Sequence, residues 1–201
     1  MPPRLRRFAL TAHVTCSVGW LGAVAVFLAL ALSGLTGKDA LTVRAAYLAM
    51  DVSTWAVIVP LSLASLATGL VQSLGTQWGL FRHYWVVAKL LLNVAATGLL
   101  LLHTGAVGRV ARAAEATSFA GTELRQVRVQ LVADAVAALV ALLVATALSV
   151  YKPGGLTAYG RRQQEAAARP ARWVTMFWVA VGVVVGLIAL LHLAGQGLRA
   201  H

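Results

Sequence analysis

The sequence predicts an all-α fold, a polytopic membrane helix bundle with five transmembrane helices, and three observations carry that reading. Of 201 residues, 60% are apolar and only 11% are charged, under half the roughly 25% charge of a soluble globular domain. Mean hydropathy is +0.80. Five stretches each hold the ~20 mostly apolar residues that a hydrocarbon crossing needs. A chain this short could not hide so much apolar surface from water, so lipid is the solvent for much of it. Such hydrophobicity excludes a disordered chain. The single Cys excludes a disulfide framework or a Cys-based zinc site within one chain.

The first stretch, Phe8 to Leu32, follows the basic start MPPRLRR. Its apolar run exceeds the usual 7–15 residues of a signal h-region, so it is read as a retained helix. On it His13, Cys16 and Trp20 share a face. The second stretch, Ala46 to Leu74, places Asp51, Trp55, Ile58, Ser62, Ser65, Gly69 and Gln72 on one seam. Small and polar members are what close packing between membrane helices asks for. Pro60 is expected to bend this helix, since its ring removes a backbone donor. The third stretch, Tyr84 to His103, carries a polar stripe of Lys89, Asn93 and Thr97. Snorkelling to the headgroups is one reading of Lys89. The stretch from Gly105 to Gln126 mixes Arg, Ala and Glu and is read as an interfacial helix or a solvated loop. The fourth stretch, Val129 to Tyr151, sets Gln130 and Asp134 on one side, with Arg125 or Arg128 as the expected partner of Asp134. Pro153-Gly154-Gly155 should stop it. The fifth runs from Trp173 to Ala194. One domain over residues 1–201 is the economical organisation.

Ionisable groups cost roughly 2.5–3.5 kcal/mol each at a helix centre on insertion scales, so they face other helices, pair, or serve a function. Depth sorts them into two layers. His13, Cys16, Gln72, His83 and Lys89 fall in one; Asp51, His103, Asp134 and His192 fall in the other. His13 with His83, and His103 with His192, are same-level pairs. Facing imidazoles can hold a haem between helices or carry protons. No catalytic set is legible.

Net charge is +11, from 17 Lys and Arg against 6 Asp and Glu. The basic residues sit between apolar runs, where they orient helices and meet anionic lipid heads. The expected partners are therefore the bilayer and a second membrane chain or copy, with no nucleic acid. Lys and Arg bias in the loops favours a cytoplasmic N-terminus and an outside C-terminus. The deciding clusters are at the N-terminus and in KPGGLTAYGRRQQEAAARPAR.

The run HVTCSVGWLG, with His13, Trp20 and Gly22, resembles the first-helix pattern of a bacterial membrane group. That group comprises the CopD-like copper-resistance proteins and the HemJ-type protoporphyrinogen oxidases. YWVVAKLLLNV, with Trp85 and Lys89, is similar to their Trp-x-x-x-Lys-Leu pattern. As a whole the chain resembles an actinobacterial family of integral membrane proteins of unknown function. The resemblance implies a bacterial plasma-membrane location, His13 as a haem-ligand candidate and Lys89 as a nearby functional cation. It departs where the HemJ-type pattern has a further His, for that region reads ALALSGLTG. Three functions stay open. One is a helical scaffold or partner-binding subunit without catalysis. The second is a haem b redox protein using His13, His83, His103 or His192. The third is a proton-coupled carrier using Asp134, Lys89 and His13.

Overall fold

The computed structural model describes residues 2–75, 80–116, 122–158, 161, 178–179, 181–183 and 186. Among the described residues, four long rods form the bundle. The first is α1 (Pro3–Thr36). The second is α2 (Ala40–Ser53), continued through a π-helical turn, Thr54–Ile58, into α3 (Val59–Gly75). The third is α4 (Tyr84–Glu115) and the fourth is α5 (Thr122–Tyr151). All four are long and apolar enough to cross a membrane. α1 and α4 each pack on both the α2–α3 rod and α5. The rods alternate in direction, so one end of the bundle carries the N-termini of α1 and α4 and is called here the N-terminal end. The other is the distal end.

Local chemistry sets the ends. Pro3 opens α1, where a missing N–H is harmless. Gly37 closes it by donating to the Ser33 carbonyl at 2.9 Å. Asp39 then caps α2, accepting from Thr42 N–H at 2.9 Å and from the Thr42 hydroxyl at 2.6 Å. Those two bonds hold the exposed Asp39 carboxyl below its ordinary pKa. At the end of α5, Lys152 turns to φ 40° and Pro153 follows, so the helix stops as the sequence expects.

The rods outrun the predicted spans. α1 adds residues at both ends, the second rod starts at Ala40, and α5 starts at Thr122. A hydropathy window sees only the hydrocarbon-length part, whereas a helix keeps satisfying its own backbone beyond it. The largest difference is at α4, which continues unbroken to Glu115. The interfacial helix or loop expected from Gly105 onward is therefore corrected over its first eleven residues. The cause is tertiary. Ala106, Val107, Val110, Ala111 and Ala114 are all buried, and this small-residue face packs against α2.

The predicted seam of the second rod is also corrected. Ile58, Ser62 and Ser65 are buried, but Trp55 is 55% exposed and Thr54 takes the inward place. Within the π-turn Val59 N–H bonds to the Thr54 carbonyl. The extra residue in that turn shifts the phase of everything before it. Pro60 lies just beyond, and widening the preceding turn relieves its ring against the carbonyl four residues back. The rod thus answers Pro60 with a π-turn.

Trp20, Tyr47, Met50, Ile58 and Leu131 anchor the main buried cluster. A second cluster, near the N-terminal end, joins Trp85, Ala88, Leu92, Ala141 and Leu148 with Val181. Trp178 meets Tyr84 edge-on at 5.8 Å between ring centroids. Most of the fifth predicted span, including His192, lies outside the described residues. Many large side chains face outward, among them Phe8, Val52, Leu102 and Val150, the pattern of a surface bathed in lipid.

Candidate functional site

Two polar side chains from different helices meet deep in the bundle. His103 Nε2 on α4 stands 3.4 Å from Asp134 Oδ2 on α5. His103 Nδ1 lies 2.8 Å from the Leu99 carbonyl. A carbonyl only accepts, so Nδ1 carries a proton and points it there. Gln130, one turn before Asp134, donates its amide to Asp134 Oδ1 at 2.8 Å. Asp134 is therefore held on one oxygen and faces an imidazole with the other. With Nδ1 committed, one proton must lie between Nε2 and Oδ2, on either atom, for the two to attract.

Depth gives this pair its meaning. At about 1.5 Å per residue, His103 and Asp134 each lie within about 6 Å of the midpoint of their own helices. Trp20 lies at the midpoint of α1, and Thr54 about 5 Å from that of the α2–α3 rod. Side chains of all four rods thus converge at mid-depth.

They surround a cavity of about 60 Å³, whose walls include Trp20, Thr54, Ile58, Leu131, His103 and Asp134. That is room for a few waters, at roughly 10–15 Å³ of accessible volume each. Most of the wall is apolar. Trp20 is 1% exposed, and its indole N–H has no hydrogen-bond partner among the described residues. A buried donor left unmatched costs about 1–3 kcal/mol, so the Trp20 N–H is poised for an acceptor that enters the cavity. Thr54 spends its hydroxyl on the Met50 carbonyl at 2.7 Å.

The other predicted site residues are distributed elsewhere. His13 lies against α3, its Nδ1 3.1 Å from the Ser65 carbonyl and 3.2 Å from Thr68 Oγ1. Gly69 permits this approach, since a Cβ there would stand 3.1 Å from the His13 ring. His83 precedes α4 at the N-terminal end, bridged through its backbone to Leu156. Lys89 Nζ sits 5.8 Å from the centre of the Trp85 ring. Fourteen residues of α4 separate it from His103, about 21 Å along the helix. Asn93 returns its amide to the Lys89 carbonyl at 2.8 Å. Cys16 is a half-buried free thiol. Asp51 lies in the same half of the bundle as His103 and Asp134 but lines a separate groove nearer the distal end.

Asp134 meets His103 and Gln130, while Arg128, one of the two cations expected beside it with Arg125, donates from Nε to the Tyr47 hydroxyl at 2.6 Å and from a second nitrogen to the Gly34 carbonyl. This clasp joins α1, α2 and α5. Spacing along one helix could not reveal it, because Gly34, Tyr47 and Arg128 belong to three.

The proton on His13 Nδ1 leaves Nε2 with its lone pair, the tautomer of a metal-ligating imidazole. Neither the mid-depth cavity nor the groove lined by Asp51 touches His13 or His83. Both ring nitrogens of His103 are engaged, and its cavity is far below the ~300 Å³ lower bound of ligand sites. His192, the expected counterpart of His103, falls outside the described residues. A slot between two imidazoles is not formed among the described residues, and they hold no group of three metal-binding side chains.

No protein-family model, curated protein or solved structure matches this chain, so its functional reading rests on the geometry of the pair and its cavity.

Proposed function

We propose that the chain is a proton-coupled membrane carrier whose His103–Asp134 pair binds and releases a proton at mid-depth. The observation that carries this reading is the meeting of an imidazole and a carboxyl, 3.4 Å apart, on the wall of a cavity at the centre of four membrane-length rods. An intramembrane ionisable pair is expensive and faces a bundle interior or a water-filled cavity when it serves a function. His is suited to the task because it titrates near neutral pH. The Trp20 N–H supplies a fixed donor for the species that shares the cavity. Lys89 and His13 stand outside this relay. The same reading places the chain in a bacterial plasma membrane, with its N-terminus cytoplasmic and its C-terminus outside, on the loop charges given above.

The scaffold reading has its own support in the remaining polar contacts, which tie helix to helix. Ser17 and Ser65 bond at 2.8 Å, His13 bonds to α3, and Arg128 clasps Tyr47 and Gly34. It leaves the pair without a purpose. Infrared spectra of the reconstituted protein, recorded from about pH 5 to 8 where His titrates, separate the two. A carrier pair gives a carboxyl signal that changes with pH and is missing from Asp134→Asn. A spectrum identical in wild type and Asp134→Asn across that range would sink the carrier reading.

A further inference from the structure

A second cavity opens between α2 and α4 toward the distal end. It measures about 320 Å³ and is lined by Asp51, Trp55, Thr104, Gly108, Arg112 and Glu115 among others. That volume lies within the roughly 300–1,000 Å³ range of ligand sites. Gly108 is its floor. A Cβ there would stand 3.3 Å from an Arg112 guanidinium nitrogen and 3.9 Å from Asp51 Oδ1, so both charged groups lean over the same glycine. They nonetheless form no ion pair. Among the described residues, the side chains of Asp51, Arg112 and Glu115 have no hydrogen bond or salt bridge within the protein.

The groove also sits at a telling depth. Asp51 lies about 10 Å from the midpoint of its rod, and Arg112 about 19 Å from the midpoint of α4. The half-thickness of the hydrocarbon is about 15 Å. The groove therefore runs from within the apolar layer, where Trp55 lies about 4 Å from the midpoint of its rod, out into the headgroup layer.

We infer that this groove holds the headgroup of a zwitterionic phospholipid with a primary amine, of the phosphoethanolamine kind. The guanidinium of Arg112 takes the phosphate by paired N–H bonds. Asp51 and Glu115 take the ammonium, whose three N–H donors match carboxylate oxygens. Two carboxylates beside the guanidinium favour a headgroup that carries a cation next to its phosphate over a purely anionic one. A choline headgroup brings no N–H donor for the carboxylates. The inference is independent of the proton-carrier reading, because no side chain lines both cavities.

The test is native mass spectrometry and thermal stability of the full chain in nanodiscs or detergent. The lipids are phosphatidylethanolamine, phosphatidylcholine and phosphatidylglycerol, offered singly at equal concentration. The ethanolamine lipid should be retained in one-to-one complex and should raise the melting temperature most. Arg112→Gln and Asp51→Asn should each weaken its retention about tenfold, the loss of one charge-assisted contact. Asp51→Asn is isosteric and Arg112→Gln shortens an exposed side chain, and unchanged helix content confirms that both fold. Gly108→Val, which fills the floor, should abolish retention. Equal or stronger retention of the glycerol lipid overturns the inference, as does undiminished ethanolamine-lipid binding in both charge variants. Competition by free phosphoethanolamine at the affinity of the lipid would overturn the lipid assignment in favour of a soluble zwitterion.

Discussion

Asparagine in place of Asp134 should separate proton binding from folding. Its side chain keeps the size of the aspartate and one acceptor oxygen for the Gln130 amide, now 2.8 Å away. Its new N–H₂ group can donate to His103 Nε2, which faces it with a lone pair while Nδ1–H stays on the Leu99 carbonyl. Both bonds survive in neutral form, so stability should change by no more than about 1 kcal/mol, the net value of one hydrogen bond. His103→Ala does the opposite. It removes the imidazole that faces Asp134 Oδ2, at a cost of about 1–3 kcal/mol. A void of roughly 65 Å³ adds ~1.5 kcal/mol at about 24 cal/mol per Å³ if it stays unfilled. The expected loss is about 2.5–4.5 kcal/mol. Unfolding of the two variants in bicelles, beside the infrared titration, reads both quantities. Asp134→Asn should melt near wild type yet lack the pH-dependent carboxyl signal. If it loses as much stability as His103→Ala, the carboxylate charge is part of the fold and the argument for a working proton site fails.

Other perturbations probe separate contacts. Gly34→Ala puts a Cβ within 2.5–2.9 Å of three Tyr47 ring atoms. It should cost about 1–3 kcal/mol by overpacking, read by thermal unfolding, and Tyr47→Ala should add less than its own single effect on that background. Asp39 is held below the ordinary carboxylate pKa by its bonds to Thr42. Its capping contribution is therefore full above the unfolded carboxyl value, and is lost as pH falls through the lowered folded value. A melting profile against pH should lose part of its acid limb in Asp39→Asn, and an unaltered limb would remove Asp39 from that role. His13→Ala breaks one interhelical bond and should cost about 0.6 kcal/mol, the average measured for such bonds in a membrane protein. The purified wild type should show no Soret band; a band that vanished in His13→Ala would return the ligand role to His13.

Legibility in the sequence followed the physics of a single rod. Lys89 and Asn93 share a stripe, as a step of four residues requires, yet Asn93 turns out to bond the Lys89 carbonyl on its own helix. Gln130 and Asp134 were placed on one side by the same rule and do touch. The rule failed at Trp55 because a π-turn changed the period before Pro60. It failed beyond Gly105 because charged Arg109 and Arg112 mask a buried alanine and valine face when only average hydropathy is read.

Hydrocarbon-length apolar runs determined, from sequence alone, that this chain forms membrane-length helices with polar residues confined to stripes. Backbone groups have no other way to be satisfied in lipid, so length and composition suffice for that conclusion. Only the tertiary structure decided that His103 meets Asp134, that Arg128 clasps Tyr47 and Gly34, and that Asp51 belongs to a different groove. Helical periodicity fixes where a side chain points on its own rod. It carries no information about which rod stands opposite, how each is rotated, or at what height they meet, because those are set by packing among side chains distant in sequence.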